Sequence, residues 1–264
     1  MKQDELKRYQ QAVVSGRPRV HCITNTITIW DCANILLAAG ASPTMAHHAE
    51  EVAEITTGCH ALVCNFGAMN DYEAMLNAAP AAAAAGHPIV VDPVGCGGSS
   101  FRRGRFFRLA QTAQITCVRG NASEIRALAL GTGTVAGVDS LPTTSAEEFE
   151  ELKNLAKHLA VSLGAIVIAS GVVDIVTDGR RLEEVTAGDS MMRLITGSGC
   201  MSSVLLGAYL AVGKEDPLAA AAACVTTMGD CGARAAARAR AEGHGTMTFH
   251  TYLIDEMSLI GALS

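Results

Sequence analysis

Pro88-Ile89-Val90-Val91-Asp92-Pro93-Val94-Gly95-Cys96-Gly97-Gly98 carries the pattern that decides the fold. A short, unbroken apolar run ends on a carboxylate and a glycine-rich turn. Without polar alternation, both faces of such a strand must be buried, as in a parallel sheet covered by helices on each side. Outward from this stretch the pattern repeats. Val20–Ile23, Ser42–Met45 and Ala61–Asn65 precede it; Ile115–Arg119, Ala165–Ala169 and Val173–Thr177 come after. Helical periodicity fills the gaps at Ile29–Ala39, Glu50–Thr57, Asn70–Ala85, Phe101–Gln111 and Ala146–Leu163. Alternating strands and helices predict an α/β fold, a three-layer αβα arrangement around a mostly parallel sheet. Asp178–Gly179 reads as a hairpin turn into Leu182–Val185, which makes one edge antiparallel. Beyond Gly199 the chain is helical through Met201–Val212, Pro217–Glu242 and Phe249–Leu263. No linker or internal repeat divides it, so residues 1–264 are expected to form one domain, with Gly131–Thr144 a mobile surface excursion.

Composition narrows the function classes. Apolar residues make up 49% and charged residues only 17%, which excludes disorder and points to closely packed, Ala-rich helices with faces covered in an oligomer. A net charge of −6 without a Lys/Arg cluster argues against nucleic acid. The four arginines of Phe101–Arg108 read as a solvated helix start. No signal peptide opens the chain and no apolar run of membrane-spanning length occurs, so a soluble, cytoplasmic protein without membrane contact is expected. The nine cysteines are odd in number and scattered, without a C-x-x-C pair. They read as reduced, mostly buried thiols rather than a zinc site, including Cys59–His60 with Cys64.

In an open parallel sheet, ligands bind beyond the carboxyl ends of the strands. Neither a G-x-x-x-x-G-K-[ST] loop nor a G-x-G-x-x-G after the first strand is present, which argues against a P-loop ATPase and a standard NAD dehydrogenase. Instead, Thr196-Gly197-Ser198-Gly199-Cys200 precedes a helix. Its glycines let a ligand approach the backbone, and the helix start offers unpaired N–H groups to an anion. Asp92 ends one strand and can hold Mg²⁺ or cap the next segment. Arg119-Gly120-Asn121-Ala122-Ser123-Glu124 ends another. There, Arg119 can hold phosphate, Asn121 or Ser123 can cap a helix, and Glu124 can complete a capping box or recruit the metal. Ser170–Gly171 adds a hydroxyl at a further strand end. Positive charge, carboxylates and an anion hole together point to phosphoryl transfer.

The segments HCITN (His21–Asn25), ASPTMA (Ala41–Ala46), NFG (Asn65–Gly67), DPVG (Asp92–Gly95), RGNASE (Arg119–Glu124), SGVVD (Ser170–Asp174) and TGSGC (Thr196–Cys200) resemble, in order and spacing, the hydroxyethylthiazole kinase family of the ribokinase-like superfamily. The resemblance runs from about His21 to Leu210 and more loosely onward. It implies a ribokinase-like fold and ATP- and Mg²⁺-dependent phosphorylation of 4-methyl-5-(2-hydroxyethyl)thiazole in thiamine salvage. Arg119 and Ser170 would contact ATP phosphates, with Gly197 and Gly199 at the anion hole. Asp92 and Glu124 would hold Mg²⁺, in part through water. Met45, Asn25, Gly67 and Gly197 would line the thiazole pocket. Members of the family resemble trimers with the thiazole site between neighbouring subunits.

Cys200 stands where most ribokinase-like kinases carry Asp. Two readings stay open: a base whose thiol is lowered by the helix N-terminus, or a residue that only shapes the pocket. Trp30, Thr26–Thr28 and Phe66 depart from the family pattern and are expected to reshape the pocket; Gly243–His244–Gly245 replaces a late glycine-proline-glycine. His47–His48 read as a solvated helix start. The alternatives are a kinase for another small alcohol, such as a hydroxymethylpyrimidine, and a non-catalytic nucleotide-binding protein.

Overall fold

The computed structural model describes residues 1–133 and 145–262; most of the Gly131–Thr144 excursion lies outside them. Eight strands form one sheet in the order β2-β1-β3-β4-β5-β6-β7-β8. They are β1 (Arg19–Ile23), β2 (Ser42–Thr44), β3 (Ala61–Asn65), β4 (Ile89–Asp92), β5 (Cys117–Asn121), β6 (Ile166–Ser170), β7 (Asp174–Thr177) and β8 (Leu182–Val185). The first six are parallel, and β7 and β8 pair antiparallel across the Asp178–Gly179 turn, as the sequence predicts. The central strands are apolar on both faces because both faces are covered. Val90 and Val91 are both fully buried, each contributing about 1.5–3 kcal/mol.

One face packs against α1 (Gln3–Gly16), α2 (Ile29–Ala38), α8 (Ser198–Val212), α9 (Pro217–Ala241) and α10 (Thr246–Ala262). The other packs against α3 (Val52–Thr57), α4 (Tyr72–Ala84), α5 (Ser100–Thr112), α6 (Ala122–Leu130) and α7 (Ala146–Leu163). Helix α8 lies directly over β1, β3 and β4. Gly207 permits that approach, since a Cβ there would come within 2.8 Å of Val20 and 2.9 Å of Val63.

Three local differences from the sequence reading matter. Helices α1 and α6 are additional. The first is a mostly charged segment whose buried stripe is only Tyr9 and Val13. The second is short and Ala-rich, and its N-terminus is fixed by the capping box that Asn121 and Glu124 form. Strand β5 begins two residues later than expected and carries Gly120 and Asn121 into the sheet. Helix α8 begins at Ser198 rather than Met201, so Gly197 is its N-cap and Cys200 sits in its first turn. No helix among the described residues is long and apolar enough to cross a membrane.

Candidate active site

The carboxyl ends of β3, β4, β5 and β6 meet the N-terminus of α8. Sheet register sets Asn65 beside Asp92 and Asn121 beside Ser170. Asp92 is buried, and its Oδ2 accepts hydrogen bonds from Asn65 Nδ2 at 3.0 Å and Ser203 Oγ at 2.7 Å. Burial pushes its carboxyl above the ordinary range, opposed by the Arg119 charge. Glu124 is buried too. Its Oε1 accepts from Gly95 N and its Oε2 from Asn121 N, both at 2.9 Å. Burial first, and the Asp92 charge second, push its pKa up to about 7.

Glu124 therefore serves its helix cap and the glycine turn after β4 at once, and both of its sequence readings fall on one carboxylate. Two buried carboxylates that raise each other's proton affinity form a site with unneutralised charge. Each oxygen keeps a lone pair beyond those used, and no group of three or more His, Cys, Asp or Glu ligands occurs among the described residues. Such a donor set fits Mg²⁺, which takes one or two carboxylates and completes its shell with water and phosphate oxygens.

Arg119 projects toward the start of α8. A Cβ added to Gly199 would lie 2.6 Å from Arg119 Nη1, so the glycine makes room for the guanidinium. Among the described residues Arg119 makes no hydrogen bond or salt bridge, which leaves its donors available beside the unpaired N–H groups of α8. Ser170 Oγ donates to Gly120 O at 3.1 Å, one residue from Arg119.

Gly197 faces the opposite way. Its φ is +88°, and a Cβ there would meet Thr28 Cγ2 at 3.0 Å and Asp31 Oδ2 at 3.4 Å. One turn thus presents Gly199 to an arginine and Gly197 to the N-terminal end of α2.

Cys200 lies between these sides. Its Sγ accepts from Asn65 Nδ2 at 3.3 Å and Asn25 Nδ2 at 3.5 Å. Asn25 Nδ2 also donates to Asn65 Oδ1 at 3.3 Å, and its Oδ1 accepts from Ile27 N and Thr28 N. Gly67 N donates to Asn65 Oδ1 at 2.8 Å, and no side chain fits there, since a Cβ would lie 2.7 Å from that oxygen. The expected lowering of the thiol by the helix start is outweighed: burial pushes the Cys200 pKa up, and the Asp92 charge adds to it.

The family profile described as "Hydroxyethylthiazole kinase family" matches residues 10–262. The hydroxyethylthiazole kinase of Clostridium acetobutylicum is 39% identical over 256 residues, covering 96% of this chain and 93% of that protein. The chain belongs to the hydroxyethylthiazole kinase family. The solved hydroxyethylthiazole kinase of Pyrococcus horikoshii OT3 superposes with a TM-score of 0.86 at 32% identity, over 97% of this chain and 93% of that one. A ribokinase-like superfamily protein from Enterococcus faecalis V583 aligns at TM-score 0.63 and 11% identity over 98% and 95% of the two chains, a likeness of fold alone. Membership makes this chain an enzyme, a kinase, on the ribokinase-like three-layer fold.

The remaining residues anticipated from sequence are dispersed around this centre. Met45 stands just past the edge strand β2, half-buried against the core. Its neighbour is anchored through buried His21, whose Nε2 meets Ala46 O at 2.8 Å while Nδ1 meets Thr56 Oγ1 at 2.7 Å. Phe66 does not reshape the pocket. Its ring is fully buried, edge-on to Tyr72 and Phe106 on the far side of the sheet. His47 and His48 are exposed. Arg102 and Arg103 are not a solvated helix start: Arg102 Nη1 donates to Phe66 O and Val94 O, and Arg103 Nη1 donates to Cys96 O, bracing the strand-end loops.

The sequence reading missed Asn65 and Ser203 as the partners of Asp92. Both carried a signal: Asn65 ends a strand next to that of Asp92, and Ser203 falls one helical turn after Cys200 on the same face. Of the nine cysteines, all are free and only Cys200 is not buried.

Proposed function

We propose that the chain phosphorylates the hydroxyl of 4-methyl-5-(2-hydroxyethyl)thiazole with MgATP, in thiamine salvage, and that residues 1–264 act as one cytoplasmic kinase unit. The observation that carries this reading is the two-sided turn at the start of α8, with Arg119 against Gly199 and an open approach at Gly197. Asp92 would hold Mg²⁺ through a carboxylate oxygen and Glu124 through water. When bound, the ion would neutralise charge on the phosphate oxygens. Arg119 binds the β- and γ-phosphates, and Ser170 turns its hydroxyl from Gly120 toward them. Backbone N–H groups of the first turn of α8, opened by Gly197 and Gly199, stabilise the charge that spreads over the transferring phosphoryl group. The acceptor hydroxyl attacks from the Gly197 side, its oxygen bonding to phosphorus as the bond to ADP breaks.

Asn25 and Asn65 orient the acceptor's end of the site, with Gly67 and Met45 along its wall. Cys200 shapes that wall and accepts the two amide hydrogen bonds. Its raised pKa makes it a poor base near neutrality, and a loose transition state needs little base. The low charge content and the exposed Ile27 and Leu37 support a homotrimer with acceptor sites between neighbours.

The test is mass spectrometry of products after incubation with MgATP and the thiazole alcohol, beside hydroxymethylpyrimidine. Thiazole phosphate is expected. Turnover of the pyrimidine alone would keep the kinase and reject the substrate. ATP binding without product from either alcohol would favour a non-catalytic nucleotide-binding protein.

A further inference from the structure

Beyond Gly197, on the side away from Arg119, a cavity of about 580 Å³ opens between α2, the 190–196 segment and α10. Its size falls in the range of small-molecule sites, roughly 300–1,000 Å³. Thr196, the residue before the Gly197 turn, lines it, together with Trp30, Asp31, Met247 and His250. Two of these are joined across elements: His250 Nε2 on α10 lies 3.0 Å from Asp31 Oδ1 on α2. Both side chains are largely shielded, at 15% and 13% exposure. The other carboxylate oxygen, Oδ2, is the atom that lies 3.4 Å from where a Gly197 Cβ would point. Trp30, by contrast, is 69% exposed, a large aromatic face at the rim of a polar-floored cavity.

The two faces of the turn constrain what can occupy this space. The guanidinium of Arg119 is on the Gly199 side, so phosphates belong there. An alcohol attacking a phosphoryl group in line must arrive from the opposite side, and its ring must lie in space continuous with Gly197. This cavity borders Gly197 through both Thr196 and Asp31.

We propose that it holds the ring of the acceptor alcohol, with the Trp30 indole as its aromatic wall and the His250–Asp31 pair as its polar recognition element. The class of ligand it takes is a flat nitrogen heterocycle. The ring stacks against the indole face while its nitrogen or a polar substituent meets the His–Asp pair. His250 acts as a positioning residue that holds the Asp31 carboxylate against the Gly197 turn; Trp30 and Asp31 determine specificity. This assignment rests on the kinase reading of the site.

Trp30 is the chain's only tryptophan, so its emission reports occupancy of the cavity directly. The full-length protein would be titrated with 4-methyl-5-(2-hydroxyethyl)thiazole without nucleotide, and separately with MgATP alone. A saturable change is expected with the alcohol and none with the nucleotide. In parallel, Asp31→Asn and His250→Ala should each raise the KM for the alcohol roughly tenfold, with the KM for ATP unchanged. His250→Gln, whose amide nitrogen can occupy the place of Nε2, should recover most of that loss. Emission that answers MgATP and not the alcohol would give the cavity to the nucleotide base and overturn the proposal. Turnover of the thiazole alcohol with silent Trp30 emission and an unchanged acceptor KM would overturn it too, while leaving the kinase reading intact. A saturable emission change without phosphoryl transfer would support the cavity assignment and remove the kinase reading instead.

Discussion

The two sides of the Gly197–Gly199 turn are built differently. On the β4–β5 side the carboxylates are buried and held in advance: Asp92 by Asn65 and Ser203, Glu124 by two backbone N–H groups. On the α2–α10 side one ion pair, His250–Asp31, borders a roomy cavity under an exposed indole. The difference reflects the ligand each side must bind. Phosphates and a metal ion demand fixed charges at fixed distances, because a displaced dipole loses most of its effect on a developing charge. A heteroaromatic ring demands mainly area, and pocket walls can vary without disturbing the charges next door.

That contrast can be broken most forcefully at Arg119. Arg119→Ala should lower kcat/KM for ATP by about 10²–10³-fold with little change in melting temperature, because its guanidinium makes no hydrogen bond or salt bridge among the described residues. An unchanged kcat/KM would remove the phosphate assignment. Next come the two glycines as a matched pair. Gly199→Ala would press on the mobile end of Arg119 and should raise the KM for ATP by about tenfold or more. Gly197→Ala meets a positive φ and Thr28, and should act on the alcohol's KM instead. If both variants change the same substrate's KM, the two-sided turn is wrong.

A pH experiment probes the carboxylate side alone. The folded pKa of Glu124, about 7, lies above its ordinary 4.5. In the metal-free protein its contribution to stability is therefore fully present below pH 4.5 and is lost as pH rises through 7. The two values correspond to about 3 kcal/mol at most. Melting curves in EDTA should show this fall in the wild type and lose it in Glu124→Gln, which retains a capping-box residue. Added Mg²⁺, which selects the ionised carboxylates, should protect more at pH 8 than at pH 6. Equal protection at both would separate Glu124 from the metal. The smallest effect is expected at Cys200: Cys200→Ala should fold normally and lose less than about tenfold in kcat, since its thiol is shifted away from the thiolate. A loss of about 10³-fold would restore the base role.

Much of the site was legible because parallel sheets put chemistry at strand ends. Asp92, Arg119 and Ser170 each stand at the end of an apolar run, and the glycine turn opens a long helix. The capping box at Asn121–Glu124 was also readable, because its partners lie three residues apart. The residues alone left open the balance at Cys200. The helix start argued for a lowered thiol, but the desolvation that wins comes from packing, and no local pattern encodes it. Phe66 misled for a related reason. It adjoins Gly67 in sequence, but its ring leaves the opposite face of the sheet and packs on Tyr72 and Phe106.

By itself, then, the sequence determined the strand–helix alternation, the antiparallel edge, the phosphate-binding turn and the residue types of the metal and anion sites. All of these are written in periodicity and in contacts between residues near in the chain. Only the tertiary structure decided that Asn65, separated from Asp92 by a helix and two turns, holds its carboxylate, and that Ser203 does so from above. Only it joined Asp31 to His250 across 219 positions of chain. Such pairings depend on sheet register and on how helices cross, quantities set by the packing of the whole core and invisible to any local window.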